Sequence, residues 1–444
     1  MDTNEKKVIV RFAPSPTGLL HVGGVRAALF NFLFARQKNG KFLLRIEDTD
    51  KERSKKEYDE DIISSLEWLG LNYNEKPLRQ SERTIIYKEK LNELIKNGHA
   101  YISQEKEGEN KEVVRFKNPG GKVKFQDLIR GEVEMDVSDL KDFIIAKSLN
   151  EPLYHLAVVV DDMESGITHV IRGEDHISNT PRQILIIEAL GGARPIYAHL
   201  PLVLATDKSK LSKRKHGEKV SLKYYRELGY LPEAIINFLA LIGWNPGGEE
   251  EVFTLDELVK IFDLEKVQKK GGIFNVEKLD WLNKEHMKSL PEKERNEEIK
   301  KWLEKNNLKN VSEKIYPIIF DRISKLGDID TMVREGELDY FFQIPAISKD
   351  KLLWKNTSVE DTREYLSKVQ EILESLPLKD FENIDKIKEA VFDYAEQNGK
   401  GQVLWPLRTA LSGKDKSPDP FTLVYVLGKE ESLKRISKAI EVLN

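Results

Sequence analysis

Short apolar runs alternate with helical patterns over the first part of the chain. Residues 8–12 (VIVRF) and 43–46 (LLRI) are rich in aliphatic side chains, which is typical of buried strands. Between these runs, apolar residues recur at helical spacing from Val25 to Leu33, and Gly40 ends the predicted helix. This order of strand, helix and strand predicts an α/β fold with a parallel sheet.

Two amphipathic helices are predicted next, at residues 58–69 and 85–95, and after them the pattern changes. Several strand-like segments then predict a small β-rich insertion that splits the first fold. The pair Gly120-Gly121 predicts a hairpin between the first two of these segments. The strand-like segments of the insertion are residues 113–116, 123–125, 131–135 and 143–146.

The pattern of the first fold resumes after the insertion. Residues 153–160 (LYHLAVVV) form a continuous apolar run, which predicts a buried parallel strand, and residues 168–172 predict another. From Ser221 the spacing of apolar residues becomes helical, and beyond Pro291 one predicted helix follows another. The pattern therefore predicts an α/β region with a β-rich insertion, followed by an all-α C-terminal region.

The composition is that of a globular protein. The 444 residues are 40% hydrophobic and 33% charged, which predicts two or more domains with their own cores. The absence of cysteine excludes disulfides and thiolate metal sites and fits a cytoplasmic protein. Residues 1–7 lack the apolar core of a signal peptide, and the run at residues 234–244 is too short to cross a bilayer. No membrane partner is therefore expected.

A rigid loop lies between the first strand and the first helix. Residues 13–18 (APSPTG) contain two prolines, and residues 21–24 (HVGG) open the helix. Paired glycines let a nucleotide approach the backbone closely, and a helix N-terminus favours phosphate. Neither the dinucleotide pattern nor the P-loop pattern occurs here, so an ordinary α/β turn and a nucleotide site both remain open.

Charged residues lie where two predicted strands end. Glu47, Asp48 and Asp50 follow the second strand, and Arg172 ends the strand at residues 168–172. The carboxyl ends of parallel strands are where α/β folds bind ligands. Asp48 and Asp50 could instead be helix-capping residues. Arg172 could bind a ligand carboxylate, or it could form a buried salt bridge with a neighbouring acid.

A basic cluster occupies residues 208–215 (KSKLSKRK) and contains five cations. Such a run is usually solvated surface, but Lys210 and Lys213 are spaced so that they could hold a triphosphate. The net charge of −4 argues mildly against nucleic-acid binding, although a local basic face can still hold an RNA. His155, His169, His176 and His199 show no metal-ligand spacing, which leaves them packing or hydrogen-bonding roles.

Two of these motifs together resemble the signatures of class I aminoacyl-tRNA synthetases, in the forms that bacterial-type glutamyl-tRNA synthetases use. RFAPSPTG…HVGG, at residues 11–24, resembles the HIGH signature, and KLSKR, at residues 210–214, resembles the KMSKS signature. RIEDTD, at residues 45–50, is similar to a stretch that glutamyl and glutaminyl synthetases share. The sequence departs from the usual pattern at Gly24, where the signature has a second histidine, and at Lys215, which looks like an inserted residue.

The resemblance covers most of the chain and implies a Rossmann-like parallel-sheet catalytic domain with a small β-rich insertion, followed by an all-α C-terminal region. The insertion is shorter than the family leads us to expect and lacks the cysteines of a zinc segment, so no protein-bound zinc is expected. The implied parts are residues 1–101 and 152–220 as the catalytic domain, 102–151 as the acceptor-end insertion, 221–306 as the stem-contact region and 307–444 as the helical anticodon-binding region.

The resemblance implies a glutamate–tRNA ligase. Such an enzyme uses ATP, with Mg²⁺, to convert L-glutamate to glutamyl-adenylate and transfers it to the 3′ end of tRNA-Glu; tRNA-Gln remains open as a second acceptor. A cytoplasmic monomer is expected. The residues that the resemblance assigns are His21, Lys210 and Lys213 as catalytic; His21, Gly23, Gly24, Lys210, Ser212 and Lys213 as ATP-binding; Arg11, Ala13, Ser15, Glu47, Tyr154 and Arg172 as glutamate-binding; and Arg408 as tRNA-binding.

Three other interpretations fit the residues less well. A glutaminyl synthetase shares RIEDTD but ends in β-barrels, whereas this C-terminus is predicted to be helical. A truncated tRNA-modifying relative would lack the C-terminal half, and a non-catalytic tRNA-binding paralogue should have lost His21 or a signature lysine. Near the C-terminus, Trp405 and Arg408 could bind an unstacked base or could simply pack together.

Overall fold

The computed structural model describes residues 7–105, 112–309 and 311–444, so residues 1–6 of the N-terminal stretch lie outside the described part. The chain divides into two compact units, Met1–Ser289 and Leu290–Asn444. Within the described ranges, no helix is both long and apolar enough to span a membrane. The four-part division expected from the sequence is finer than these two units and stays a prediction.

The first unit contains parallel and antiparallel sheets. Strand orders are β1-β2-β3, β10-β11-β6-β7, β4-β5-β8-β9 and β12-β13. The strands are β1 Ile9–Phe12, β2 Lys41–Ile46, β3 Leu78–Arg79, β4 Ala100–Gln104, β5 Glu112–Phe116, β6 Lys122–Asp127, β7 Gly131–Asp136, β8 Phe143–Ser148, β9 Glu151–Pro152, β10 His169–Gly173, β11 Ile196–Leu200, β12 Val203–Leu204 and β13 Gly272–Ile273.

Helices cover the sheets of the first unit and make up the second. In the first unit they are α1 Val22–Gln37, α2 Lys56–Trp68, α3 Thr84–Lys96, α4 Tyr154–Glu164, α5 Thr180–Ala189, α6 Lys213–His216, α7 Leu222–Glu227, α8 Pro232–Leu241, α9 Leu255–Ile261 and α10 Val276–Ser289. In the second unit they are α11 Glu292–Lys305, α12 Tyr316–Arg322, α13 Asp328–Arg334, α14 Lys349–Leu352, α15 Val359–Ser375, α16 Ile384–Asn398, α17 Lys400–Ser412 and α18 Pro420–Leu443. The predicted Rossmann-like fold with extra strands and a helical C-terminal region is confirmed.

The arrangement of β1 and β10 creates a cleft. β1 pairs in parallel with β2, and β10 pairs in parallel with β11. β1 and β10 are joined near their amino ends, where the Thr168 backbone N–H donates to the Ile9 carbonyl at 2.9 Å. Their carboxyl ends belong to different sheets and do not pair. A break of this kind between neighbouring parallel strands is where α/β folds bind ligands.

The run at residues 153–160 forms helix α4 and not the predicted strand. Every residue from Leu156 through Asp162 is buried, so the helix is covered on all sides. A short continuous apolar run is compatible with a buried strand or a buried helix, and local periodicity does not separate the two. The β-branched residues Val158 to Val160 favour a strand locally, and packing overrides that preference.

The predicted hairpin at Gly120-Gly121 is also wrong. β5 pairs with β4 and β8, whereas β6 pairs with β7 and, through Asp127 opposite Tyr197, with β11. The two glycines, with φ of 70° and 81°, carry the chain from one sheet to another. The real hairpin joins β6 to β7, and its turn is fixed by Asp127, whose Oδ1 accepts the backbone N–H of Ile129 and Arg130.

The second unit is built from amphipathic helices around its own apolar core. In α15 the buried residues Thr362, Leu366, Val369 and Leu373 follow a spacing of three or four residues. Equivalent faces of α16, α17 and α18 complete the core. The helical periodicity of the sequence therefore predicted this region well.

A buried carboxylate ties α4 to the chain around α3. Asp161 is fully buried and accepts hydrogen bonds from Gln80 Nε2 at 2.8 Å, Arg83 Nε at 2.7 Å and the Tyr87 hydroxyl at 2.8 Å. Removing the acceptor would leave two buried donors, Gln80 and Tyr87, and the half-buried charged group of Arg83 without it.

We expect Asp161→Ala to lower the free energy of unfolding by about 3–5 kcal/mol, the usual cost of breaking a buried ion pair. Urea denaturation of the full chain measures the change. The control Asp139→Ala, at an exposed position of the same unit, should stay within about 0.5 kcal/mol of the parent. A loss for Asp161→Ala as small as that of the control would contradict the prediction.

Candidate active site

A cavity of ≈ 660 Å³ opens at the carboxyl ends of β1, β2 and β10. It gathers every residue assigned to glutamate or ATP from the sequence, although these residues are spread over some two hundred positions of the chain. Arg408 lies in the second unit and outside this cavity. The assigned residues that line the cavity are Arg11, Ala13, Ser15, His21, Gly23, Gly24, Glu47, Tyr154, Arg172, Lys210, Ser212 and Lys213.

His21 lines the cavity and caps helix α1. Its Nδ1 accepts the backbone N–H of Gly24 at 3.0 Å, which leaves the proton on Nε2. A Cβ on Gly23 would approach the same Nδ1 to 3.2 Å, so the glycine leaves room for the ring. The cap therefore presents an Nε2–H donor beside a helix N-terminus, a combination that suits a phosphate.

Arg172, at the end of β10, is buried among neutral partners. Its Nη1 donates to Gln183 Oε1 and its Nη2 to Thr180 Oγ1, both at 2.8 Å, and its Nε donates to His199 at 3.2 Å. Among the residues that the structure describes, none of its partners is a carboxylate, so the alternative of a buried salt bridge is wrong. Burial lowers the pKa of Arg172, and a buried cation without a counter-ion favours an anionic ligand.

Arg11 differs from Arg172 because an internal acid balances its charge. Asp162 on α4 accepts from Arg11 Nε at 3.0 Å and from Arg45 Nη1 at 2.5 Å. Arg45 Nη2 also donates to Glu47 at 3.0 Å, so one network joins Arg11 to Glu47, and both of these residues line the cavity. Burial raises the pKa of Glu47, while Arg45 opposes that rise.

Sequence reasoning missed Asp162 and Arg45 as parts of the site. The available signal was the pair Asp161-Asp162 directly after an apolar run, together with the arginine of RIEDTD. Both were hidden by the interpretation of residues 153–160 as a strand, whereas helix α4 continues to Glu164 and buries both carboxylates.

Tyr154 and His176 meet at the side of the cavity. The Tyr154 hydroxyl lies 3.1 Å from His176 Nδ1, and both residues line the cavity. Burial raises the pKa of Tyr154 and lowers that of His176 to about 4, so both groups are neutral near pH 7. His176 therefore has the hydrogen-bonding role that the sequence left open for it.

The basic cluster contributes Lys210, Ser212 and Lys213 to the lining of the cavity. Lys210 Nζ lies 3.1 Å from Asp175 Oδ2, and Lys213 begins the short helix α6. Among the described residues, no carboxylate lies within ion-pair distance of Lys213. Lys215 donates to Asp207 at 2.5 Å and to Ser209 at 2.8 Å, so it ties together the two arms of the KLSKR loop.

Asp48 and Asp50 lie outside the cavity lining and do not cap helix α2. Asp48 accepts the backbone N–H of Ser81 at 2.8 Å and its hydroxyl at 2.7 Å. Asp50 pairs with Arg53 at 2.7 Å. Of the carboxylates in RIEDTD, only Glu47 therefore faces the cavity.

Arg408 packs on its own helix in the second unit. Its guanidinium carbon lies 4.7 Å from the Trp405 ring centroid, and Nη2 donates to the Asp415 carbonyl at 2.8 Å. Trp405 Nε1 donates to the Lys351 carbonyl at 3.0 Å. The packing alternative is thus realised, and an ordered arginine–indole pair of this kind can also stack against a base.

The described residues contain no group of three or more His, Asp or Glu side chains placed to hold a metal ion. The polar groups that line the cavity are instead cations, imidazoles and hydroxyls, together with the three carboxylates of Glu47, Asp175 and Glu218. This chemistry suits a ligand with several negative charges.

Comparison with known proteins accounts for both units. The family of class I tRNA synthetases for E and Q, catalytic domain, matches residues 7–110 and 102–281, and an anticodon binding domain matches residues 284–440. A glutamate–tRNA ligase of Thermodesulfovibrio yellowstonii is 39% identical over 98% of this chain and 99% of its own length. A glutamate–tRNA ligase of Aquifex aeolicus is 40% identical over 99% of this chain and 100% of its own length.

Solved structures give the same result. A glutamate tRNA ligase from Elizabethkingia meningosepticum, in complex with its amino acid, has a TM-score of 0.88 and 35% identity and covers 99% of this chain and 100% of its own. A glutamate–tRNA synthetase from Elizabethkingia anophelis has a TM-score of 0.86 at 35% identity, with coverage of 98% and 100%. The similarity spans both units and includes the cavity with its two signature motifs, and the chain therefore belongs to the glutamate–tRNA ligase family of class I aminoacyl-tRNA synthetases.

Proposed function

We propose that this chain uses ATP to activate L-glutamate as glutamyl-adenylate and then transfers the glutamyl group to the 3′ end of tRNA-Glu. The observation that carries the choice of amino acid is the buried Arg172 guanidinium, which lines the cavity and whose hydrogen-bond partners among the described residues are all neutral. A second carboxylate distinguishes glutamate from glutamine, and Arg172 offers it a fixed cation. The full-length similarity to named glutamate–tRNA ligases supports the reaction.

In the first step the glutamate α-carboxylate attacks the α-phosphorus of ATP, and pyrophosphate leaves. No side-chain nucleophile is needed, so catalysis consists of positioning and charge stabilisation. His21 Nε2–H, the helix start at Gly23-Gly24 and the two lysines Lys210 and Lys213 are proposed to hold the phosphates together with Mg²⁺, which arrives with ATP. Ser212 joins them, and the phosphates would compete with Asp175 for Lys210.

The amino acid is proposed to lie between Arg172 and Glu47. Arg172 takes the side-chain carboxylate and Tyr154 adds a hydroxyl, while Glu47 and Ser15 hold the amino-acid end beside Ala13. Because Asp162 already balances the charge of Arg11, that arginine contributes less attraction than Arg172 does. In the second step a terminal hydroxyl of the tRNA attacks the glutamyl carbonyl, and AMP leaves.

The tRNA is proposed to contact several parts of the chain. The acceptor end is assigned to residues 102–151, the stem to 221–306 and the anticodon to 307–444, where Arg408 would meet a base. We further propose that the enzyme works in the cytoplasm, which the absence of cysteine supports, and that it is a monomer, as the family resemblance implies.

Charging assays with purified tRNA-Glu and tRNA-Gln test the proposal directly. Incorporation of glutamate into tRNA-Glu, without incorporation of glutamine, is the expected result. Charging of tRNA-Gln with glutamate would extend the substrate range, whereas attachment of glutamine to either tRNA would contradict the proposed pocket.

We expect His21→Asn to raise the activation free energy of adenylate formation by about 2–4 kcal/mol, which is the usual effect of losing one hydrogen-bond donor to the transition state. Asparagine is a good N-cap, so this variant keeps the cap of α1 while it removes the Nε2–H donor. Pyrophosphate exchange in the presence of tRNA measures kcat, and thermal denaturation checks that the fold is retained. A near-normal kcat would remove His21 from the catalytic set.

We expect Arg172→Lys to raise the KM for glutamate markedly, because an ammonium cannot reproduce the planar fork of a guanidinium. Arg172→Ala should weaken glutamate binding by about 2–5 kcal/mol, since the ligand carboxylate would be buried without a partner. The KM for ATP should change little. Steady-state charging at varied glutamate decides the matter, with the exposed Arg194→Lys as the matched control; unchanged kcat/KM in Arg172→Ala would refute this pocket.

We expect Arg408→Ala to weaken tRNA binding and to leave the KM for ATP nearly unchanged, because the proposed anticodon contact does not involve the nucleotide. The change should be about 1–3 kcal/mol, the contribution of stacking to one base. Filter binding of labelled tRNA-Glu measures it. Arg363→Ala, at an exposed position of α15, is the control, and equal affinities of the two variants would mean that Arg408 only packs.

A further inference from the structure

A buried chain of hydrogen bonds runs from the β-rich insertion to Arg172. Asp127, the last residue of β6, lies 2.6 Å from His199 Nδ1, and His199 Nε2 lies 3.2 Å from Arg172 Nε. The exposed fractions of Asp127, His199 and Arg172 are 1%, 0% and 7%. The chain crosses three neighbouring strands, β6, β11 and β10.

The direction of each hydrogen bond is fixed by Arg172. Arginine Nε always carries a hydrogen, so His199 Nε2 must be an acceptor and the ring proton must lie on Nδ1. That proton needs an acceptor, and Asp127 Oδ2 supplies it. Thr180 Oγ1 lies 3.1 Å from the same Nε2 and also accepts from Arg172 Nη2, so the histidine and the threonine hold adjacent edges of the guanidinium.

Asp127 can fill this role only as a carboxylate. Its Oδ1 accepts the backbone N–H of Ile129 at 2.9 Å and of Arg130 at 2.8 Å. Its Oδ2 accepts the His199 backbone N–H at 3.0 Å in addition to the ring proton. All four partners are donors. An asparagine amide at this position would either point its own N–H group at one of these donors or force the His199 ring to carry its proton on Nε2.

We propose that Asp127 and His199 are positioning residues that aim the Arg172 guanidinium at the side-chain carboxylate of glutamate. The inference rests on the proposed function, in which Arg172 binds that carboxylate. Neither Asp127 nor His199 lines the cavity, so both act through Arg172. The insertion, assigned above to the tRNA acceptor end, thereby also takes part in recognition of the amino acid.

Two substitutions at His199 distinguish a role of Nε2 as hydrogen-bond acceptor from a role of the ring in packing. Asparagine reaches only as far as Nδ1, so His199→Asn keeps a donor for Asp127 and removes the acceptor for Arg172. Glutamine reaches the position of Nε2, so His199→Gln can return a carbonyl oxygen to Arg172. We expect His199→Asn to raise the KM for glutamate by about tenfold, which corresponds to one hydrogen bond to a charged group, and His199→Gln to recover part of it. The KM for ATP should not change in either variant.

Asp127→Asn tests the first link of the chain. It should raise the KM for glutamate as His199→Asn does, because a reversed tautomer turns an N–H toward Arg172. The matched controls are Asp142→Asn, within the insertion, and His169→Asn, at the other end of β10; neither contacts Arg172. Both controls should keep the KM of the parent.

The tautomer is measured without relying on any variant's activity. In full-length protein labelled with ¹⁵N-histidine, the signal that disappears in His199→Asn should report a neutral ring protonated on Nδ1. A ring protonated on Nε2 in the parent protein would overturn the proposal, whatever the activity of the variants.

The kinetic outcomes distinguish failure of the positioning proposal from failure of the proposed function. If Arg172→Ala raises the KM for glutamate while His199→Asn and Asp127→Asn do not, the positioning proposal fails and the proposed function stands. If Arg172→Ala itself leaves the KM unchanged, the proposed function fails first. The His199 and Asp127 variants could instead show a lower kcat together with equal increases in the KM for glutamate and in the KM for ATP, without recovery in His199→Gln. That result would indicate a purely structural role and would also overturn the proposal.

Discussion

The buried pairing of Asp162 with Arg11 and Arg45 is the constraint on which the first unit depends. One carboxylate from helix α4 meets guanidinium groups from β1 and β2, and all three side chains are nearly inaccessible to solvent. Separate burial of any of them would cost several kcal/mol, so these elements can pack only in the arrangement that brings the charges together. This arrangement also fixes the position of Glu47, because Arg45 holds it.

The same electrostatics separate the arginines that have an internal counter-ion from Arg172. Arg11 and Arg45 have internal carboxylates, whereas Arg172 has an amide, a hydroxyl and an imidazole as partners. Neutral partners orient a guanidinium without neutralising its charge, so the attraction for an anionic ligand is retained. Asp161, the residue before Asp162 in α4, contributes to stability instead, through its hydrogen bonds to the chain around α3.

Much of the fold and of the site could be predicted from local pattern. Helix α1 and strands β1 and β2 lie where apolar periodicity and Gly40 predict them, because each buries one consistent set of side chains against its neighbours. The residues assigned through the two signature motifs converge on one cavity, since both motifs occupy loops at the carboxyl ends of parallel strands. Their chemical roles came from family resemblance and remain predictions.

The sequence by itself determined the class of fold, the helical C-terminal unit and the residues that meet at the cavity. Only the tertiary structure decided that residues 153–160 are a helix, that β6 joins β11, and that Arg172 is held by His199 and Asp127. The physical reason is that periodicity records which side chains are buried but not which distant groups they meet. A buried charge selects its partner through three-dimensional packing, and that choice leaves no local pattern along the chain.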